Sequence, residues 1–114
     1  MQVVLAEVVG SPFCVSVEDG NRVHERIAAA LDKKLPVEIS FDGVTRLTTA
    51  FLNAAVGQLY NEYAEDEIRK SLSVGTATQD DLKLLKKIID NAKLFFQDRE
   101  GYNAVLKDEL GSDE

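Results

Sequence analysis

Apolar positions recur along the chain with two different spacings, and the switches between them predict the order of elements. Val3, Val4, Leu5, Val8 and Val9 form a β-branched run ended by Gly10-Ser11-Pro12, which predicts a strand over 2–9. Phe13-Cys14-Val15, just after Pro12, predicts a short second strand. From Ser16 the period becomes helical. Val23, Ile27, Ala30 and Leu31 fall on one stripe, Ser16 and Asp19 form a capping-box-like pair at its start, and Lys33-Lys34 suit its C-terminal end. Gly20 in the first turns costs such a helix about 1 kcal/mol against Ala, which points to a close backbone approach there.

After Pro36 the pattern turns to period two: Val37, Ile39 and Phe41 alternate with Glu38 and Ser40, as in a strand buried on one face. Asp42-Gly43 supplies a turn, 44–47 leads on, and either Thr48 or Thr49 can cap the helix that follows. That helix, over about 49–63, carries Phe51, Leu52, Ala55, Val56, Leu59 and Tyr63 round much of its surface, which predicts heavy burial, and an acidic exit follows at 62–67. Residues 71–75 predict a short strand. Thr78 and Asp81 form a second capping-box-like pair before the clearest helix, 79–97, in which Leu82, Leu85, Ile88, Ile89, Ala92, Phe95 and Phe96 share a face opposite Lys83, Lys86, Lys87 and Lys93. Gly101 is expected to break it, with a short extra helix over 102–106.

Strand, short strand, helix, strand, helix, strand, helix is an α/β order: a small mixed β-sheet of about four strands with helices packed on it. The crossover from Val37 through the Thr49 helix to Ser71 suits a parallel, right-handed connection. No repeat or linker divides the chain, so one domain is expected over 1–107, with an acidic tail at 108–114.

Composition narrows the chemistry. There are 114 residues and 20 Asp+Glu against 13 Lys+Arg, a formal net charge of −7 that argues against general affinity for nucleic acid. The longest uncharged stretch, Leu47 to Asn61, is too short and too polar to span a bilayer, and the N-terminus carries Glu7 with no basic flank, so a cytoplasmic location is expected. One Cys and one His exclude a disulfide framework and a Cys/His zinc site. His24 reads as a solvated or half-exposed residue beside the buried stripe, and Cys14 as a small buried hydrophobe. The acidic pairs at Glu18-Asp19 and Asp80-Asp81 begin helices and need no metal, and no phosphate-loop pattern occurs. No catalytic set, cofactor site or metal site is expected.

Three stretches carry a resemblance to a known family. Val15-Ser16-Val17-Glu18-Asp19-Gly20 opens the first helix, Val37-Glu38-Ile39-Ser40-Phe41-Asp42-Gly43-Val44 forms a strand and turn, and Thr48-Thr49-Ala50-Phe51-Leu52-Asn53 opens the second helix. In this order, over about residues 2–97, they resemble the STAS domain of sulfate transporters and anti-sigma factor antagonists, most closely its STAS-like branch of unknown function. The resemblance implies a STAS-like fold and a non-enzymatic regulatory module that contacts a protein partner around the second helix start. In the antagonists an Asp-Ser pair begins that helix and the serine is phosphorylated; here Thr48 stands at the Asp position and Thr49 at the Ser position. Asp42, Thr48, Thr49 and Asn53 are then the interaction or phosphorylation candidates, and a histidine-kinase-like ATPase or a serine kinase the implied partner.

The simpler reading of either threonine is an N-cap alone. A second functional reading places a small-molecule or nucleotide pocket at the strand ends, lined by Asp42, Thr48, Thr49, Asn53 and Thr76, where open α/β sheets often bind ligands. A third makes the apolar second helix a dimer interface.

Overall fold

The computed structural model describes residues 1–105, with side chains as far as Leu94. Its elements run β1 (Gln2–Val4), α1 (Leu5–Val9), β2 (Phe13–Cys14), α2 (Val17–Asp32), β3 (Val37–Ser40), β4 (Arg46–Leu47), α3 (Thr49–Leu52), a π-helical turn (Asn53–Gly57), α4 (Leu59–Glu62), α5 (Glu65–Ser71), β5 (Leu72–Val74) and α6 (Gln79–Val105). The α/β architecture stands, but the strands divide into two sheets rather than forming one of four. β1, β3 and β5 make a parallel sheet in the order β1-β3-β5, and β2 pairs in parallel with β4 alone. The crossover from β3 through the Thr49 helix to β5 is thus parallel, as the alternation predicts.

The capping pairs behave as their spacing dictates. Ser16 Oγ accepts from the Asp19 amide at 3.1 Å. Thr78 and Asp81 close a reciprocal box, Asp81 N to Thr78 Oγ1 at 3.1 Å and Thr78 N to Asp81 Oδ2 at 3.2 Å. Val23, Ile27, Ala30 and Leu31 are all buried, and so are Val37 and Ile39 of β3. Ser40 departs from the alternation: it is buried, and its hydroxyl accepts from the Asp42 amide at 3.2 Å.

Five further expectations need correction. The first strand stops at Val4 because its partner β3 offers only three residues of register; the chain then coils into α1, whose end is fixed by Gly10 at φ 80 with its amide on Ala6 O. The second helix is not one α-helix, since a π-turn interrupts it at Asn53–Gly57 and it ends at Glu62. The acidic exit is itself a helix, α5, with Glu65, Asp66 and Glu67 in the first turn and Arg69 and Lys70 in the last, matching the dipole at both ends. Leu82 is exposed, so the buried face of α6 is carried by Leu85, Ile88 and Ala92. Gly101 does not break α6, which continues to Val105: one interior glycine costs only about 1 kcal/mol, less than a helix needs to stop. Leu106 and the tail over 108–114 lie outside the described residues, as do the side chains of Phe95 and Phe96.

α2 lies across the Thr49 helix at short range. A Cβ on Gly20 would stand 2.5 Å from Phe51 O and 2.6 Å from Ala54 Cβ, a contact only glycine permits. This close approach carries Phe51, Leu52, Ala55, Val56 and Leu59 into one core with the α2 stripe and the sheet.

Candidate functional site

Thr48 is the N-cap of α3, and Thr49 is its first helical residue. The Thr48 hydroxyl accepts from the Phe51 amide at 3.2 Å and donates to the Val15 carbonyl at 2.8 Å, so one side chain both starts the helix and ties it to the segment after β2. The main chain repeats that tie, with Thr48 N on Cys14 O at 3.2 Å and Thr45 N on Pro12 O at 2.9 Å. These bonds extend the β2–β4 ladder, in which Phe13 stands opposite Arg46 and Cys14 opposite Leu47.

Around buried Cys14 the side chains alternate outward. Phe13 is 54% exposed, Val15 36% and, at the first turn of α2, Val17 52%. Burying such side chains would be favourable by about 1.5–3 kcal/mol each, so their position in water marks a surface suited to contact. Sequence reasoning named neither Phe13, Val15 nor Val17 as site residues. The available signal was the period of two around Cys14, which places Phe13 and Val15 on the face opposite the core once Cys14 is buried.

Of the four candidates, Thr48 is bonded to this segment, and Thr49 is its neighbour in the chain. Thr49 is exposed, and its hydroxyl makes no hydrogen bond to another described residue. Asn53, also exposed, begins the π-turn one helical turn further on, and its carbonyl accepts from the Gln58 amide at 3.1 Å. Asp42 sits apart in the exposed turn after β3, followed by Gly43 at φ 82, and its carboxylate bonds to none of the other three. Thr76 lies beside that turn, its carbonyl accepting from Phe41 N at 2.7 Å. Asp42 and Thr76 therefore belong to the end of the three-stranded sheet, and the threonine pair belongs to the β2–β4 ribbon. Three clefts, of about 270, 270 and 400 Å³, are lined by other residues than Asp42, Thr48, Thr49, Asn53 and Thr76.

The two conventional reactive side chains are both engaged in packing. Cys14 is fully buried, and burial, with the Asp19 carboxylate adding to it, pushes its thiol from 9.0 up to about 11; such a thiol is a poor nucleophile near neutrality. His24 is more buried than the sequence suggests, with only 12% of its side chain exposed. Its Nε2 lies 3.0 Å from Glu62 Oε1, linking α2 to α4, while the buried Nδ1 has no partner among the described residues. Among the described residues there is no group of three His, Cys, Asp or Glu placed to hold a metal ion, and no helix is long and apolar enough to cross a membrane.

The chain belongs to the family of STAS-like domains of unknown function, whose model matches residues 19–82. The matched segment runs from the first turn of α2, through β3, the capped helix start at Thr48 and β5, into the first turn of α6. No match to a curated protein or to a solved structure was found.

Proposed function

We propose that this chain is a non-enzymatic regulatory module that binds a protein partner through the surface formed by Phe13, Val15, Val17 and the helix start at Thr48-Thr49. The observation that carries this reading is the 2.8 Å bond from the Thr48 hydroxyl to the Val15 carbonyl. It ties the segment that carries the exposed apolar side chains to the helix start, where the next residue, Thr49, presents an exposed hydroxyl. Apolar side chains supply the desolvation energy of an interface, and a hydroxyl at its margin offers a place to switch it.

Thr49 rather than Thr48 is the residue to modify under this reading, because the Thr48 hydroxyl is already both donor and acceptor. A phosphate on Thr49 brings a charge of about −2 next to the apolar strip and opposes its burial. The family resemblance suggests the partner class, a histidine-kinase-like ATPase or a serine kinase, and an anti-sigma-antagonist type of partner switching. Fold-level analogy supports that choice of partner and nothing finer.

The test is affinity capture from the native cell with three baits, followed by titration of the captured protein and phosphosite mapping. Wild type is expected to retain a partner that Phe13→Ser and Thr49→Asp each bind at least tenfold more weakly, with circular dichroism unchanged. Equal affinity for all three baits removes this surface from the function.

A further inference from the structure

A second feature shares no residue with the threonine pair's ribbon. Between the β3–β5 side of the three-stranded sheet and helices α4, α5 and α6 runs a cleft of about 270 Å³. Its apolar lining comes from Ile68 and Leu85, which are buried, and from Leu72 and Ile89, which are partly so. The same cleft is lined by Tyr60, Glu65, Arg69 and Lys93, so four polar side chains from three helices converge on an oily space. A preformed apolar cavity with a few convergent polar groups is the usual form of a small-molecule site.

The polar groups are unbalanced toward donors. Glu65 Oε2 forms an ion pair with Lys93 Nζ at 3.0 Å and stands 3.7 Å from Arg69 Nη2, whose two-thirds-exposed side chain also donates to Asp66 Oδ1 at 2.7 Å. An ammonium has three N–H groups and a guanidinium five, so these contacts leave donors unused on both side chains. The Tyr60 hydroxyl makes no hydrogen bond to another described residue. Burial raises the pKa of that phenol, as do the Glu65 and Asp90 carboxylates against the opposing pull of Arg69, so it remains a neutral donor. Lys93 and Glu65 are about two-thirds covered, at 34% and 36% side-chain exposure.

We infer that this cleft binds a small apolar carboxylate, its hydrocarbon part against Ile68, Leu72, Leu85 and Ile89 and its carboxylate received by Lys93, Arg69 and the Tyr60 hydroxyl. The cleft's volume of about 270 Å³, below that of a typical drug-sized pocket, suits a short aliphatic or aryl acid. The inference is independent of the partner-binding surface, with which the cleft shares no lining residue.

Octanoate and octylamine, which share a tail and differ in head charge, are the probes. Each is titrated to about 10 mM into the full chain while the isoleucine methyl resonances are followed by NMR, a range suited to a fragment of this size. Octanoate is expected to shift the Ile68 and Ile89 methyls saturably, to leave Ile27 on α2 still, and to bind at least fivefold more weakly to Lys93→Gln and to Tyr60→Phe. Octylamine is expected to produce no saturable shift. The inference is overturned by any of three results: no saturation with octanoate, equal binding of the amine, or unchanged octanoate affinity in both variants.

Discussion

Gly20 of α2 and Phe51 of α3 meet so closely that a methyl group on the first would stand 2.5 Å from the carbonyl oxygen of the second. On helix propensity alone, Gly20→Ala should stabilise the chain by about 1 kcal/mol. The contact reverses the sign, because the obstacle is backbone and cannot swing aside. Gly20→Ala is expected to lose about 1–3 kcal/mol as the two helices are forced apart, which urea unfolding will measure as a lower midpoint with unchanged slope. A gain in stability would mean that the helices separate without cost.

The π-turn depends on Gln58. Its backbone amide donates to Asn53 O, five residues back, and its side-chain Nε2 reaches the Ala54 carbonyl at 2.8 Å and Asn21 Oδ1 on α2 at 2.9 Å. The side chain thus serves the carbonyl that an α-helical amide at this position would have taken. Gln58→Leu keeps the volume and removes both bonds. A cost of about 1–2 kcal/mol is expected, while Asn21→Ala, which removes only the partner on α2, should cost less.

Thr48 and Thr49 separate stability from recognition. Thr48→Ala removes the cap and the bond to Val15 and is expected to cost about 1–2 kcal/mol, with Thr48→Ser restoring most of it. Thr49→Ala removes an exposed hydroxyl and should change stability by less than about 0.5 kcal/mol. Thermal and urea unfolding of the three variants checks this order, and equal effects at the two positions would contradict the assigned cap.

Cys14 gives a pH-dependent readout. Its folded thiol titrates near 11 against 9.0 for an ordinary one, so the folded state holds the proton more tightly than the unfolded state. The linked stability is fully present below pH 9 and is lost progressively as pH rises from 9 through 11. Native protein at pH 8 is expected to react with a thiol reagent only as fast as the chain opens, with full reactivity in urea. Rapid labelling of folded protein would place the thiol at the surface.

Tyr63 adds a second alkaline step. Its hydroxyl lies against the Asp32 carboxylate and the Ala28 carbonyl at 3.1 Å, and the hydrogen bond to Asp32, with burial and neighbouring carboxylates adding to it, pushes the phenol from 10.0 up to about 12. Its contribution to stability is therefore present below pH 10 and fades between 10 and 12. In an ultraviolet titration, Tyr63→Phe should remove the phase near pH 12. Persistence of the phase in the variant would assign it elsewhere.

Local chemistry was enough to place α2, β3 and the start of α6. Ser16 with Asp19, Thr78 with Asp81, and the alternation of Val37 and Ile39 act over two to four residues, and each keeps its meaning in any fold that buries one side. Gly20 was similarly informative, since its cost within a helix implied the backbone approach that the structure contains. The family resemblance also rested on contiguous stretches, and the matched region includes them from Asp19 onward.

Other features were settled by partners distant in the chain. Val8 and Val9 favour a strand, yet β3 pairs only with Gln2–Val4, and unpaired backbone turned helical instead. Arg46-Leu47 became a strand because Phe13-Cys14 lies alongside, and Leu82 is left exposed although it shares the helical period of buried Leu85. The same holds for the exposed Phe13–Val15 strip and for the Lys93–Glu65 bridge over the cleft. Side-chain period fixes which residues share a face, whereas the neighbour that covers that face, or leaves it open to water, comes from segments tens of residues away.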